Sequence, residues 1–184
     1  VQNRDASAPK RPNLAKSLYV CEAQFSYMKN ALSLILVFLG LSLSPQLDRL
    51  SFYKAFESDS QSQMDKALNA LKAERPSHTR DAYTGALTMK KAQFMSTPKE
   101  KALVFKDGRD MLEAMIKKDP SNTEYRFLRL AIQENVPKIL KYSGQIEEDK
   151  KHIIKHYKSL DATLRKIIRE YAAQSTHLST ADLK

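Results

Sequence analysis

Glycine, cysteine and tryptophan are nearly missing from this chain. Of its 184 residues, 4 are glycine, 1 is cysteine and none is tryptophan. So little glycine, beside abundant leucine, alanine, lysine and glutamate, favours helices over sheets. No run of four to eight residues alternates strictly with β-branched enrichment, so no sheet is expected. The lone Cys21 lies ahead of an apolar run at 31–43. If that run is a cleaved signal, the rest of the chain has no cysteine. A disulfide framework, a zinc–thiolate site and a cysteine nucleophile are then excluded. GxGxxG, a Walker loop, GxSxG and a paired-carboxylate motif are also missing. An enzyme is therefore not expected, and no cofactor is implied.

What the chain does have is a hydrophobic complement of 42%, enough for a core and against wholesale disorder. Its length suits one domain of ordinary size. The formal charge is +10. Residues 1–44 hold five basic and two acidic side chains, so 26 basic and 19 acidic ones, a net +7, remain in 45–184. That bias suits a nucleic acid, an anionic membrane surface or an acidic partner. The basic residues are dispersed among Glu and Asp, which reads as a solvated surface. Aromatics do not interleave with a basic strip, and nucleic-acid binding is not expected.

The apolar run reads ALSLILVFLGLSL, preceded by Met28-Lys29-Asn30 and followed by Ser44-Pro45-Gln46. A membrane span needs about 20 apolar residues. A secretory h-region needs roughly 7–15. Length and flanks give a signal peptide at 28–44 with its h-region at 31–43, and hence export, with the periplasm as destination. Ser42 and Ser44 supply small residues for a cut after Ser44, and Pro45 opposes that cut. An uncleaved membrane anchor through 31–43 is the alternative; the membrane is a partner only in that case. A buried core helix would show polar residues every third or fourth position, which this run lacks. Met28 reads as a start, and 1–27 as a disordered upstream extension.

From about Leu50 helical patterns alternate with short breaks. Met64, Ala67, Leu68 and Leu71 form one stripe. Pro76 and Ser77 end that helix, and Thr79 is expected to cap the next, with Tyr83, Ala86, Leu87 and Phe94 on its inner side. Thr97-Pro98-Lys99-Glu100 starts another, Thr97 as N-cap and Pro98 at the first helical position. Its core side carries Phe105, Leu112, Met115 and Ile116, and Gly108 leaves room for close approach. A turn at 119–122 precedes a helix from Thr123 to Asn135. Two more follow, from Ile146 to about Ser159 and from Asp161 to about Gln174. The fold expected is all-α: about six helices in antiparallel hairpins over 45–174, then a frayed polar tail at 175–184.

Residues 83–122 resemble a tetratricopeptide-type unit. The stretch begins AYTGALTMKKAQF, from Ala82, and ends GRDMLEAMIKKDPSN. The helix–turn–helix length, Gly108 with Leu112 four later and the closing Asp119-Pro120 carry the likeness. Met115 stands where the repeat usually has alanine, and no second copy follows. The resemblance implies a single degenerate, TPR-like hairpin domain. A second resemblance covers about 70 residues, 82–154, and includes EYRFLRLAIQENVPKILKYSGQIEEDKKHI. It is to a family of small, functionally uncharacterised exported proteins from Bacteroidetes bacteria. That resemblance implies an envelope destination and a helical fold, and no activity.

Three constellations are candidate sites. Arg126, Arg129 and Gln133 share one helix face, and two guanidiniums in register grip a carboxylate or phosphate bidentately. They are the candidates for binding a protein or peptide partner. The alternative is that they bridge to acidic neighbours such as Glu134 or Glu147 and lock two helices together. Glu148, His152 and His156 also share a face, and His at i, i+4 chelates divalent metals. The sequence is HIIKH instead of HExxH, and Lys155 repels a cation, so no metal is expected. The alternative there is a solvated polar face. Finally, Ile153, Tyr157, Leu160, Leu164, Ile167 and Tyr171 follow a 4-3-4-3-4 spacing, an a/d seam. A continuous helix would make it a weak homodimer interface of a self-associating envelope protein. A break at 159–161 with Asp161 as N-cap would make it the inner stripe of two core helices.

Overall fold

The computed structural model describes residues 48–184; the signal segment, its h-region and Cys21 lie outside them. Seven helices account for most of that length, and no strand occurs among the described residues. They are α1 (Arg49–Glu57), α2 (Gln61–Ala73), α3 (His78–Lys91), α4 (Pro98–Lys118), α5 (Thr123–Asn135), α6 (Ile146–His156) and α7 (Ala162–Ala172). The sequence led us to expect about six, because the nine-residue α1 is too short to show a repeating stripe. No described helix is long and apolar enough to cross a membrane.

Local chemistry sets the starts. Each of six helices opens on a side chain that accepts a hydrogen bond from an otherwise orphaned backbone N–H. Those caps are Asp48, Ser60, Ser77, Thr97, Asn122 and Asp161. Thr97 and Glu100 form a reciprocal capping box, with Pro98 entering behind it. The expected cap Thr79 is displaced by Ser77, whose hydroxyl accepts from Arg80 N at 3.1 Å. Thr79 lies in the first turn, its hydroxyl 3.2 Å from that of Tyr125. Only α6 lacks a side-chain cap; Glu147, Glu148 and Asp149 in its first turn complement the helix dipole instead.

The central pair is α3 against α4. Gly85 and Gly108 place the two backbones in contact, and the register is antiparallel: Gly85 faces Leu112 while Met89 faces Gly108. Phe94, expected on the helix, ends a 3-10 turn at Ala92–Phe94 and packs partly buried against the core. Helix α1 rests on α2 and α3, and α5 packs on α3, α4 and α6. Phe52, Met64, Leu71, Leu87, Leu112, Leu128, Ile153 and Ile168 form the fully buried centre. Phe52 stacks on Tyr83 at 3.7 Å between centroids.

Two expectations about the C-terminal part resolve. The seam is broken: α6 passes into a 3-10 turn at Tyr157–Ser159, Leu160 is extended, and Asp161 caps α7. Ile153, Tyr157, Leu164 and Ile167 are buried within the chain. The tail is docked, in contrast to the expected fraying. Leu178 and Leu183 are buried, and Ser179 and Asp182 form a capping box on the last turn.

Candidate functional site

The face nominated from sequence is a tie between helices. Asp149, fully buried on α6, accepts from Arg129 twice, from Nε at 2.7 Å and Nη2 at 2.8 Å. A third guanidinium nitrogen of Arg129 reaches Glu113 on α4 at 2.8 Å, and Glu113 also accepts from the Tyr142 hydroxyl at 2.6 Å. Arg126 bonds Glu148 at 2.7 Å, Asp149 at 3.0 Å and the Pro120 carbonyl at 2.7 Å. The partners therefore differ from those anticipated: Glu134 holds the tail and Glu147 faces His177. Burial works against the charge on Arg129, but Asp149 and Glu113 outweigh it and raise its pKa above the ordinary arginine value. Arg129 is 6% exposed, which leaves its guanidinium no open path to a ligand. Buried Gln133 donates to Gln145 at 2.7 Å, while its Oε1 has no partner. All three residues join α5 to the segment that begins α6.

The histidine face is likewise committed locally. His156 Nδ1 donates to the His152 carbonyl at 2.8 Å. His152 Nε2 lies 3.2 Å from both Thr123 Oγ1 and the Ser121 carbonyl. The two rings are 4.1 Å apart, and Glu148 is held by Arg126. Burial, His156 and Arg126 together lower the His152 pKa. Among the described residues no three His, Cys, Asp or Glu side chains converge as metal ligands.

A buried acid that sequence reasoning missed is Glu124, in the first turn of α5. It accepts from the Tyr83 hydroxyl at 2.6 Å, the Tyr53 hydroxyl at 3.3 Å and Arg49 at 3.0 Å. Arg49 also bonds Asp161 at 2.7 Å. Burial first, then the Glu124 charge, pushes both tyrosine pKa values up. The cluster pins α1, α3, α5 and the start of α7 to one another.

The open concavity lies elsewhere. A groove of about 640 Å³ runs between the end of α1, the end of α3, the first turns of α4, the end of α5, the 136–140 segment and the end of α7. Phe56, Met89, Phe105, Phe127 and Ile132 lie behind its surface, buried in the core, and half-buried Leu140 with exposed Pro98, Ala102 and Ile139 form its accessible apolar wall. Ala92, Ala102 and Ala131 line it with single methyls, where larger side chains would fill the space. Glu57, Asp59, Lys90 and Lys101 stand around it. The Lys90 ammonium sits 5.4 Å above the Phe56 ring, and burial lowers its pKa. Ligand sites are typically concave, mostly apolar and of roughly 300–1,000 Å³, and this groove has that form. No sequence stripe announces it, because six separate segments build it.

Comparison of the chain with protein-family models, with curated protein sequences and with solved structures finds no match.

Proposed function

We propose that this chain is an exported, non-catalytic, TPR-like helical interaction module, and that a protein or peptide partner docks in the groove between α1, α3, α4 and α5. The observation that carries the reading is the groove itself, a concavity of about 640 Å³ in a domain whose Arg126, Arg129 and Glu124 are engaged internally. Its polar rim around an apolar floor is the usual anatomy of a protein-binding patch. Export rests on the 31–43 segment and its flanks. The envelope destination rests on the resemblance of 82–154.

Ala102 is an exposed groove residue, so Ala102→Glu places a charge on the groove wall without touching the core. The tagged chain and this variant are recovered from the cell envelope and compared. The expected result is a co-purifying protein that the variant loses while its far-UV helicity is unchanged. Retention of the same proteins by the variant would remove the groove from the reading. Cell fractionation tests the address: a full-length product confined to the cytosol contradicts export.

A further inference from the structure

We infer that residues 175–184 form a releasable strap, latched to α5 by the single carboxylate of Glu134, and that protonating this carboxylate lifts the strap and loosens the α7 side of the groove. The groove half rests on the reading above; the latch itself does not.

Glu134 collects four hydrogen bonds from residues 37 to 42 positions further along the chain. Its Oε2 accepts from the Tyr171 hydroxyl and, at 2.8 Å, from the Ser175 hydroxyl. Its Oε1 accepts from the Thr176 backbone N–H and, at 2.8 Å, from the Thr176 hydroxyl. Ser175 relays the grip. Its oxygen accepts from His177 N at 3.2 Å and Leu178 N at 2.9 Å, which shapes the turn that delivers fully buried Leu178 to the core. Among the described residues no cation forms an ion pair with Glu134, so these donors alone hold its charge.

Four donors suit a carboxylate because it only accepts. Bonds to an ionised acceptor are also roughly twice as strong as neutral ones. A protonated carboxyl must donate from one oxygen, and the Thr176 N–H cannot reverse to receive it. The rest of the strap is lightly held. Leu178 and Leu183 anchor it. Its two ion pairs, His177 with Glu147 at 3.7 Å and Asp182 with Lys150 at 3.6 Å, reach solvent, where such pairs contribute little. Two leucines must offset the ordering of ten residues. The strap is therefore built to open locally, ahead of the helices.

The latch also touches the groove. Tyr171 and Gln174, directly before the strap, line it. Tyr171 stands edge-on to Phe127 at 5.2 Å between centroids, and its hydroxyl is one of the latch donors. Burial raises the Tyr171 pKa, so that hydroxyl stays protonated and donating. Burial opposes the charge on Glu134, but the hydrogen bonds prevail and hold it below its ordinary 4.5. The latch is thus closed above 4.5 and opens as pH falls below it.

Amide exchange of the 184-residue chain, expressed as protection factors from about pH 7 down to about pH 3.5, tests the inference. Protection over 175–184 is expected to fall by about tenfold or more while α3 and α4 keep theirs. Glu134→Gln should show the low value at every pH, and Glu147→Gln, which breaks only the surface pair, should titrate like wild type. The chain has no tryptophan, so Gln174→Trp, at an exposed groove position, supplies a single indole. Its quenching by acrylamide should rise over the same range. Strap protection that is flat with pH overturns the inference. So does a loss in step with α3 and α4, a pH dependence that survives Glu134→Gln, or an indole unchanged while the strap opens. A strap that opens as expected in a chain whose Ala102→Glu variant keeps every partner would leave the latch standing and sink only the groove reading.

Discussion

Gly85 and Gly108 exclude each other's side chains. A Cβ on Gly85 would lie 2.7 Å from the Gly108 carbonyl oxygen, and one on Gly108 would lie 2.6 Å from that of Gly85. Both obstacles are backbone, so neither can rotate aside. In an exposed helix interior Gly→Ala stabilises by about 1 kcal/mol. Here the sign reverses. Gly85→Ala or Gly108→Ala forces α3 and α4 apart, and a net loss of about 1–3 kcal/mol is expected. Gly144→Ala is the control, since nothing lies within 4 Å of its added methyl; it should be neutral or slightly stabilising. Urea denaturation of the three variants reads the difference. Equal effects at all three positions would mean the close crossing is not formed.

Arg129 and Asp149 test the inter-helix tie. Removing one member of a buried pair leaves an uncompensated charge and costs about 3–5 kcal/mol. Asp149→Ala should lose that much. Arg129→Met combined with Asp149→Leu should recover at least half of it, because Glu113 is partly exposed and can turn to water and Arg126 keeps its bond to Glu148. The singles Arg129→Met and Asp149→Leu with their double form the cycle that gives the coupling. An Asp149→Ala variant as stable as wild type would refute the tie.

Acid should destabilise the fold in two stages. The folded pKa of His152 lies below its ordinary 6.5, so the folded state binds fewer protons than the unfolded one. Its contribution is complete above 6.5 and falls away as pH drops through that value. Glu134 is held below its ordinary 4.5: burial opposes this, but hydrogen bonds from Tyr171, Thr176 and Ser175 prevail. That contribution is present above 4.5 and is lost below it. Glu148 adds to the lower stage through its hydrogen bond from Arg126. Denaturation midpoints measured across this range should fall in both windows. His152→Gln should flatten only the upper one; if it flattens neither, His152 does not carry it.

The tail is expected to behave as part of the core. Glu134 accepts from the hydroxyls of Ser175 and Thr176 at 2.8 Å each, and from Tyr171 and the Thr176 backbone. Leu178 is fully buried. Leu178→Ala should cost about 2–5 kcal/mol, and Glu134→Ala should speed amide exchange over 175–184. Exchange in the wild-type tail as fast as in an unfolded chain would show that it is not docked.

How much of this was readable beforehand follows from the physics of each part. The bounds of α5 were legible because turn residues stop the chain at 119–122 and Val136-Pro137 ends it. Thr97, Pro98 and Glu100 spelled out the start of α4. The docking of the tail is not legible because it is polar on average while two leucines, Leu178 and Leu183, do the packing. The partner of Arg129 has a signal in the sequence. Ile146, Asp149 and Ile153 share one face of α6, and an acid on an apolar stripe needs an internal cation. The groove had none, since it is space left by alanines on separate helices.

The groove as an interaction site is tested most directly by a photo-reactive benzophenone side chain introduced at Ala102, in the groove, and separately at Lys72, exposed on α2 and outside it. After irradiation in intact cells, a discrete adduct is expected from position 102 and none from position 72. No adduct at 102, or the same adducts from both positions, would contradict the groove as the place where this chain meets its partner.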